Sequence, residues 1–110
     1  MISCVPYREM WRLEGVQKSD QTGKKWKALF SREGATGGRK MKTTHFGDAS
    51  KEDYTQHHDE ARRERYRLRH WKGLDTHDPT RAGFLSYFLL RGDSTSLEAN
   101  IAVYKRKFGL

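Results

Sequence analysis

Residues 82–90, Ala-Gly-Phe-Leu-Ser-Tyr-Phe-Leu-Leu, are the longest nearly unbroken apolar run in this 110-residue chain, in which one residue in three is charged. A helix that is apolar on nearly every side belongs at the centre of a fold, so this segment is predicted to be the central element. It is half the roughly 20 residues needed to cross a bilayer, and no membrane span is expected. Asp78-Pro79 upstream reads as a helix start, with Asp at the cap and Pro in the first turn, and Gly92 reads as the stop. Gly83 costs about 1 kcal/mol relative to Ala inside a helix, which predicts a close packing contact there.

The rest of the chain must be arranged around that element. Residues 25–46 read as a β-hairpin. Trp26, Ala28 and Phe30 alternate with Lys25, Lys27 and Leu29, a glycine-rich turn follows at 33–38, and Arg39–Phe46 returns with Met41, Thr43 and His45 on one face. A helix is predicted from Ser50, or from near Thr55, to about Lys72, with Tyr54, Ala61 and Leu68 as a narrow buried stripe and Gly73 as the stop. The last helix follows a capping box at Thr95–Glu98 and presents Leu97, Ile101, Tyr104 and Phe108 on one continuous face, ending at Gly109. Residues 1–24 show no sustained period. They read as an extended N-terminal arm with Val5, Tyr7 and Trp11 available to dock into a neighbour, or as a frayed terminus. The expectation is therefore an α+β fold: an arm over 1–24 and one small domain over 25–110, a β-hairpin packed against three helices.

Composition removes several classes. One cysteine, Cys4, excludes a disulfide scaffold. Met1–Met10 lacks a basic segment followed by an apolar stretch, so no signal peptide is expected. Three Trp, five Tyr and five Phe are too many rings for a chain that buries nothing. The formal net charge is +8. It is spread along the chain, with 10 basic and 5 acidic residues over 1–50 and 12 and 9 over 51–110.

One stretch is dense. Arg62, Arg63, Arg65, Arg67, Arg69 and Lys72 fall within eleven residues that hold a single carboxylate, Glu64. At 100° per residue, Arg62, Arg65 and Arg69 share one helix face, and Arg63, Arg67 and His70 another. Guanidinium groups grip phosphates and carboxylates with two parallel hydrogen bonds. The run therefore suits an acidic protein neighbour or a phosphate backbone, or it is a solvated face balanced by Asp59, Glu60 and Glu64. Catalytic patterns are weak. His57, His58 and Asp59 faintly suggest one limb of a metal-dependent nuclease site, but the five histidines form no pair at metal-ligand spacing. Gly37-Gly38-Arg39-Lys40 lacks the ending of a phosphate-binding loop, and Ser86 lacks a nucleophile elbow. No catalytic residue, metal or cofactor is expected.

From Lys25 onward the chain resembles a family of small basic proteins of unassigned function encoded by large nucleocytoplasmic DNA viruses of algae and protists. The matching residues are His45-Phe46-Gly47, Asp53-Tyr54-Thr55 with His57 and Asp59, Arg65-Tyr66, Arg69-His70, and Ala82-Gly83-Phe84-Leu85-Ser86 with Leu89-Leu90. The chain departs from the pattern at Arg91, where a Trp often follows the Leu pair. The resemblance implies a non-enzymatic minor structural protein of the virion, in the host cell interior before assembly. It would contact capsid components through the arm and the arginine helix within an oligomeric assembly. The alternative is a nucleic-acid-binding protein using the same arginines on phosphates.

Overall fold

A computed structural model describes residues 11–34 and 37–110. The fold is α+β: a three-stranded antiparallel sheet covered by short helices. Strands β1 (Arg12–Lys18), β2 (Lys24–Glu33) and β3 (Arg39–Asp48) lie in the order β1-β2-β3. The helices are α1 (Tyr54–His57), α2 (Glu60–His70), a 3₁₀ turn at Trp71–Thr76, α3 (Ala82–Leu85) running on as a π-helical turn (Ser86–Leu90), and α4 (Leu97–Phe108).

The β2–β3 hairpin follows the alternation read from the sequence. Ala28 and Phe30 are fully buried and Trp26 packs beside them, paired across the ladder with Thr44, Lys42 and Phe46. The inward face of β3 is 42/44/46, and Met41, Thr43 and His45 share the other face, with Met41 in solvent.

The arm boundary at residue 24 moves. Arg12–Lys18 is a full strand of the sheet, added to β2 through pairs such as Leu13↔Phe30 and Val16↔Ala28. A bulge between Leu13 and Gly15 sets Glu14 out of register, so Leu13 and Val16 reach the same face although three residues apart. Ser31 Oγ, buried on β2, donates to the Glu14 carboxylate. Trp11 packs against this chain's own core with the Arg32 guanidinium 4.7 Å over its ring. Val5 and Tyr7 lie outside the described residues.

The helix predicted over 50–72 is two helices. Asp53, not Ser50, caps α1. Its carboxylate accepts from Thr55 N and from Lys25 Nζ at 2.6 Å, while its own N–H donates to Gln56 Oε1. His58 takes a left-handed conformation, φ 56°, and Asp59 starts α2 by accepting from Ala61 N and Arg62 N. Two side chains able to cap a helix from outside, six residues apart, divide what the periodicity joined. The stripe Tyr54/Ala61/Leu68 does not hold either. Tyr54 is buried, Ala61 is exposed and Leu68 is 72% exposed. Gly73 does not stop the chain, which continues as the 3₁₀ turn to Thr76.

The central element holds. Phe84, Leu85, Leu89 and Leu90 are buried against Leu13, Phe30, Phe46 and Tyr104. It begins at Ala82 rather than Pro79, because Asp78 is used in a tight turn, accepting from Thr80 N and Oγ1. That turn is tied to β3, where Thr44 Oγ1 donates to Thr80 O and Lys42 Nζ to Thr80 Oγ1. Gly83 makes no close contact; a Cβ there would meet nothing within 4 Å. The close approaches are elsewhere. Gly47 has φ +85°, and a Cβ on it would sit 2.9 Å from Leu90 Cδ1. A Cβ on Gly92 would collide with the Phe88 backbone oxygen and sit 2.8 Å from the Asn100 carboxamide.

In α4, Leu97, Ile101, Tyr104 and Phe108 pack on the core and Gly109 closes the helix with φ 66°. The cap is Ser96, accepting from Ala99 N, one residue after the predicted Thr95. Buried Asn100 fastens this helix to the preceding loop. Its Nδ2 donates to Leu89 O and Ser94 O, and its Oδ1 accepts from Ser94 N.

Candidate functional site

α2 buries no residue completely. Its two apolar residues at core spacing, Ala61 and Leu68, are both exposed, so it is held by charged and aromatic side chains. Arg63, 14% exposed at its side chain, extends over the Tyr54 ring at 5.0 Å and donates to Gly92 O at 3.1 Å. Arg67 lies 5.2 Å over Tyr87 and 3.6 Å from Asp93 Oδ1. Glu64 is paired with Arg63 at 2.9 Å. These two arginines are fasteners. Lys72 sits 5.9 Å over the exposed Trp71 ring, away from the face described next.

The other arginine face has a different fate. Arg62, Arg65 and Arg69 line a groove of about 1070 Å³ between α2 and the remaining elements. One end is the open end of the β2–β3 ladder and the loop after it, with Lys24, Asp48, Ser50, Lys51 and Glu52. The wall facing α2 is the central element, through Ala82, Gly83, Ser86 and Arg91. Six Lys or Arg side chains line the groove against two carboxylates. Asp48 is occupied locally, accepting from Ser50 Oγ at 2.7 Å and Ser50 N at 2.9 Å, and those bonds hold its carboxyl below the usual range. Glu52 is 3.8 Å from Arg62. Among the described residues, Lys24, Lys51, Arg65, Arg69 and Arg91 have no ion-pair partner.

Arg91 stands apart from the others. It is 8% exposed, and its guanidinium lies 3.7 Å from the centroid of the Tyr66 ring. The His70 ring stacks on Tyr66 at 3.9 Å and 18°. Two groups that close to one centroid cannot share a face, so Tyr66 is sandwiched between them. Burial lowers the Arg91 pKa and raises that of Tyr66. The charge remains, since an arginine in a protein stays protonated. The sequence marked Arg91 only as a departure from the resembling family's pattern and as a cation directly after the apolar run, neither of which gave it a role.

The sequence-predicted set is thus split. Arg62, Arg65 and Arg69 converge on the groove, Arg63 and Arg67 are used inside the fold, and Lys72 lies outside both. His57 lines the groove as well, its Nδ1 accepting from Asp59 N, and burial followed by the neighbouring Arg62 lowers its pKa. His58 and Asp59 form the break between α1 and α2. Among the described residues no three His, Cys, Asp or Glu side chains are grouped to hold a metal ion, and no helix is long and apolar enough to cross a membrane.

No curated protein and no solved structure matches the chain. Residues 15–70, which supply most of the sheet and the arginine wall of the groove, match a family of unknown function (DUF5754), and the chain belongs to that family.

Proposed function

We propose that this protein is a non-enzymatic nucleic-acid-binding protein that holds phosphates in the groove between α2 and the central element. The observation that carries this is the convergence of six basic side chains on one concavity, five of them without a carboxylate partner among the described residues. Along the sequence the +8 charge looked dispersed; in the fold much of it faces one space. Unpaired guanidinium groups held near one another are electrostatically costly until a polyanion neutralises them, and phosphates suit their fork.

Fluorescence anisotropy with labelled oligonucleotides at several salt concentrations tests the reading. Binding that weakens steeply with salt is expected, and Arg65→Glu with Arg69→Glu abolishes it while circular dichroism remains that of the wild type. No binding at 50 mM salt refutes it. The viral resemblance adds a location, the virion near the packaged genome, which mass spectrometry of particles stripped layer by layer would test.

A second reading keeps the contact with protein neighbours inside a particle. Leu68 at 72% exposure and Trp71 at 52% lie three residues apart on the outer side of the helix, where apolar groups favour a protein partner.

A further inference from the structure

We propose that the groove takes a single nucleic-acid strand rather than a duplex, with Arg91 at its floor gripping one phosphate. This rests on the nucleic-acid reading above and narrows its substrate.

The first support is the state of Arg91. Among the described residues no buried side-chain nitrogen or oxygen lacks a hydrogen-bond partner, yet Arg91 engages only the Tyr66 ring, through its π face. Its N–H groups are therefore not sealed off from the groove that Arg91 lines. An arginine only 8% exposed overall, stacked in place and without a carboxylate partner among the described residues, is a donor fork prepared for an anion that enters the concavity. Stacking between Tyr66 and the wall removes the rotamer entropy that a surface arginine loses on binding.

The second support is the wall beside it. Ala82, Gly83 and Ser86 are small, and Gly83 is not there for packing, since a Cβ would meet open space. Gly83 is exposed and lines the same groove as Arg91, so a larger side chain there would project into the space a strand must cross.

The third is the depth of Arg91. A helix that reads duplex DNA lies in the major groove and presents its cations outward. Here Arg62, Arg65 and Arg69 are exposed along the groove, but Arg91, which lines the same concavity, is only 8% exposed. Phosphates on the outside of a stiff, broad duplex cannot descend to a recessed Arg91. A flexible strand can follow a basic groove, as single-strand binders require. Tyr66 is covered on both faces, so it positions Arg91 and leaves no ring face for base stacking; binding follows the backbone and tolerates sequence.

The test compares a fluorescein-labelled 12-nucleotide oligothymidylate with a 12-base-pair duplex at one salt concentration, using the full chain. The single strand is expected to bind at least tenfold more tightly. Arg91→Gln should weaken single-strand binding about tenfold or more, the scale of one charge-assisted phosphate contact, and leave duplex binding unchanged. Should Arg91→Gln fail to fold by circular dichroism, Gly83→Leu carries the test. It fills the open space without removing a charge, and should likewise block the single strand alone. Equal or tighter duplex binding overturns the proposal and leaves phosphate binding standing, as does single-strand affinity that neither variant changes. Binding of neither probe overturns both.

Discussion

Replacing Arg65 and Arg69 together by alanine removes two of the six basic side chains that line the groove. Neither makes an ion pair among the described residues, so the fold loses little, within about 0.5 kcal/mol for exposed substitutions of this kind. Binding should change in a countable way. A protein that neutralises six phosphates of a single strand has a log–log salt slope of about −4, and one that neutralises four a slope of about −3. Between 50 and 200 mM salt the wild type should therefore lose roughly 300-fold in affinity and the double variant about 50-fold. Arg63→Ala is the control. It removes the hydrogen bond to Gly92 O and the contact over Tyr54, worth about 1–3 kcal/mol together. A domain of this size then loses roughly 4–8 °C of midpoint per kcal/mol. Measured well below its midpoint, this variant should keep the wild-type slope. Anisotropy titrations at four salt concentrations and a thermal melt of each variant decide the matter. If Arg63→Ala lowers the slope by a full unit, or Arg65→Ala with Arg69→Ala lowers the midpoint as Arg63→Ala does, the division of α2 into a binding face and a fastening face is wrong.

Other expectations concern the frame that holds the groove. Gly92→Ala drives a methyl into the Phe88 backbone oxygen and to 2.8 Å from the Asn100 carboxamide, and should cost about 3 kcal/mol or more by chemical denaturation, the upper end of overpacking because the backbone must shift. Asp53→Asn breaks the pair with Lys25 at 2.6 Å on a carboxylate that is almost fully buried; about 3–5 kcal/mol should be lost, and Lys25→Met added to it should restore part of that. Asp78 gives the fold a pH dependence. Partial burial pushes its carboxyl up, but the side-chain and backbone bonds from Thr80 outweigh this and leave it below the usual range. The unfolded chain then binds the proton first, so the stabilisation is present at neutral pH and is lost as pH falls below about 4. Asp78→Asn should melt lower at pH 7 and show a shallower decline in acid.

Where apolar residues repeat at one period over a whole element, the sequence was readable. Leu97, Ile101, Tyr104 and Phe108 placed α4, and Trp26, Ala28 and Phe30 placed β2, because each row meets the same core along its length. β1 was hidden by its bulge. Leu13 and Val16 share a face only because Glu14 drops out of register, and a period of two cannot show that. The break at His58 was hidden for another reason. Asp53 and Asp59 cap through side chain to backbone bonds, which leave no trace in hydrophobic spacing. The two arginine faces of α2 were separable by angle alone. Their roles were not, since Tyr54, Tyr87 and Asp93 come from distant parts of the chain. Arg91 was illegible because its partner, Tyr66, is 25 positions away.

The way α2 is attached has a dynamic consequence. It has no buried residue of its own and is fastened by two arginines over two rings and by carboxylates at the surface. Ionic fastenings weaken as salt rises, whereas the packing of the sheet against the central element does not. The amides of α2 should therefore exchange with deuterium sooner than those of β2, and sooner still in high salt, as a segment that opens by itself. A strand bound along Arg62, Arg65 and Arg69 would close that opening. On this view one side of the groove gains its rigidity from the molecule it holds, and occupancy could be followed from the exchange protection of α2 alone.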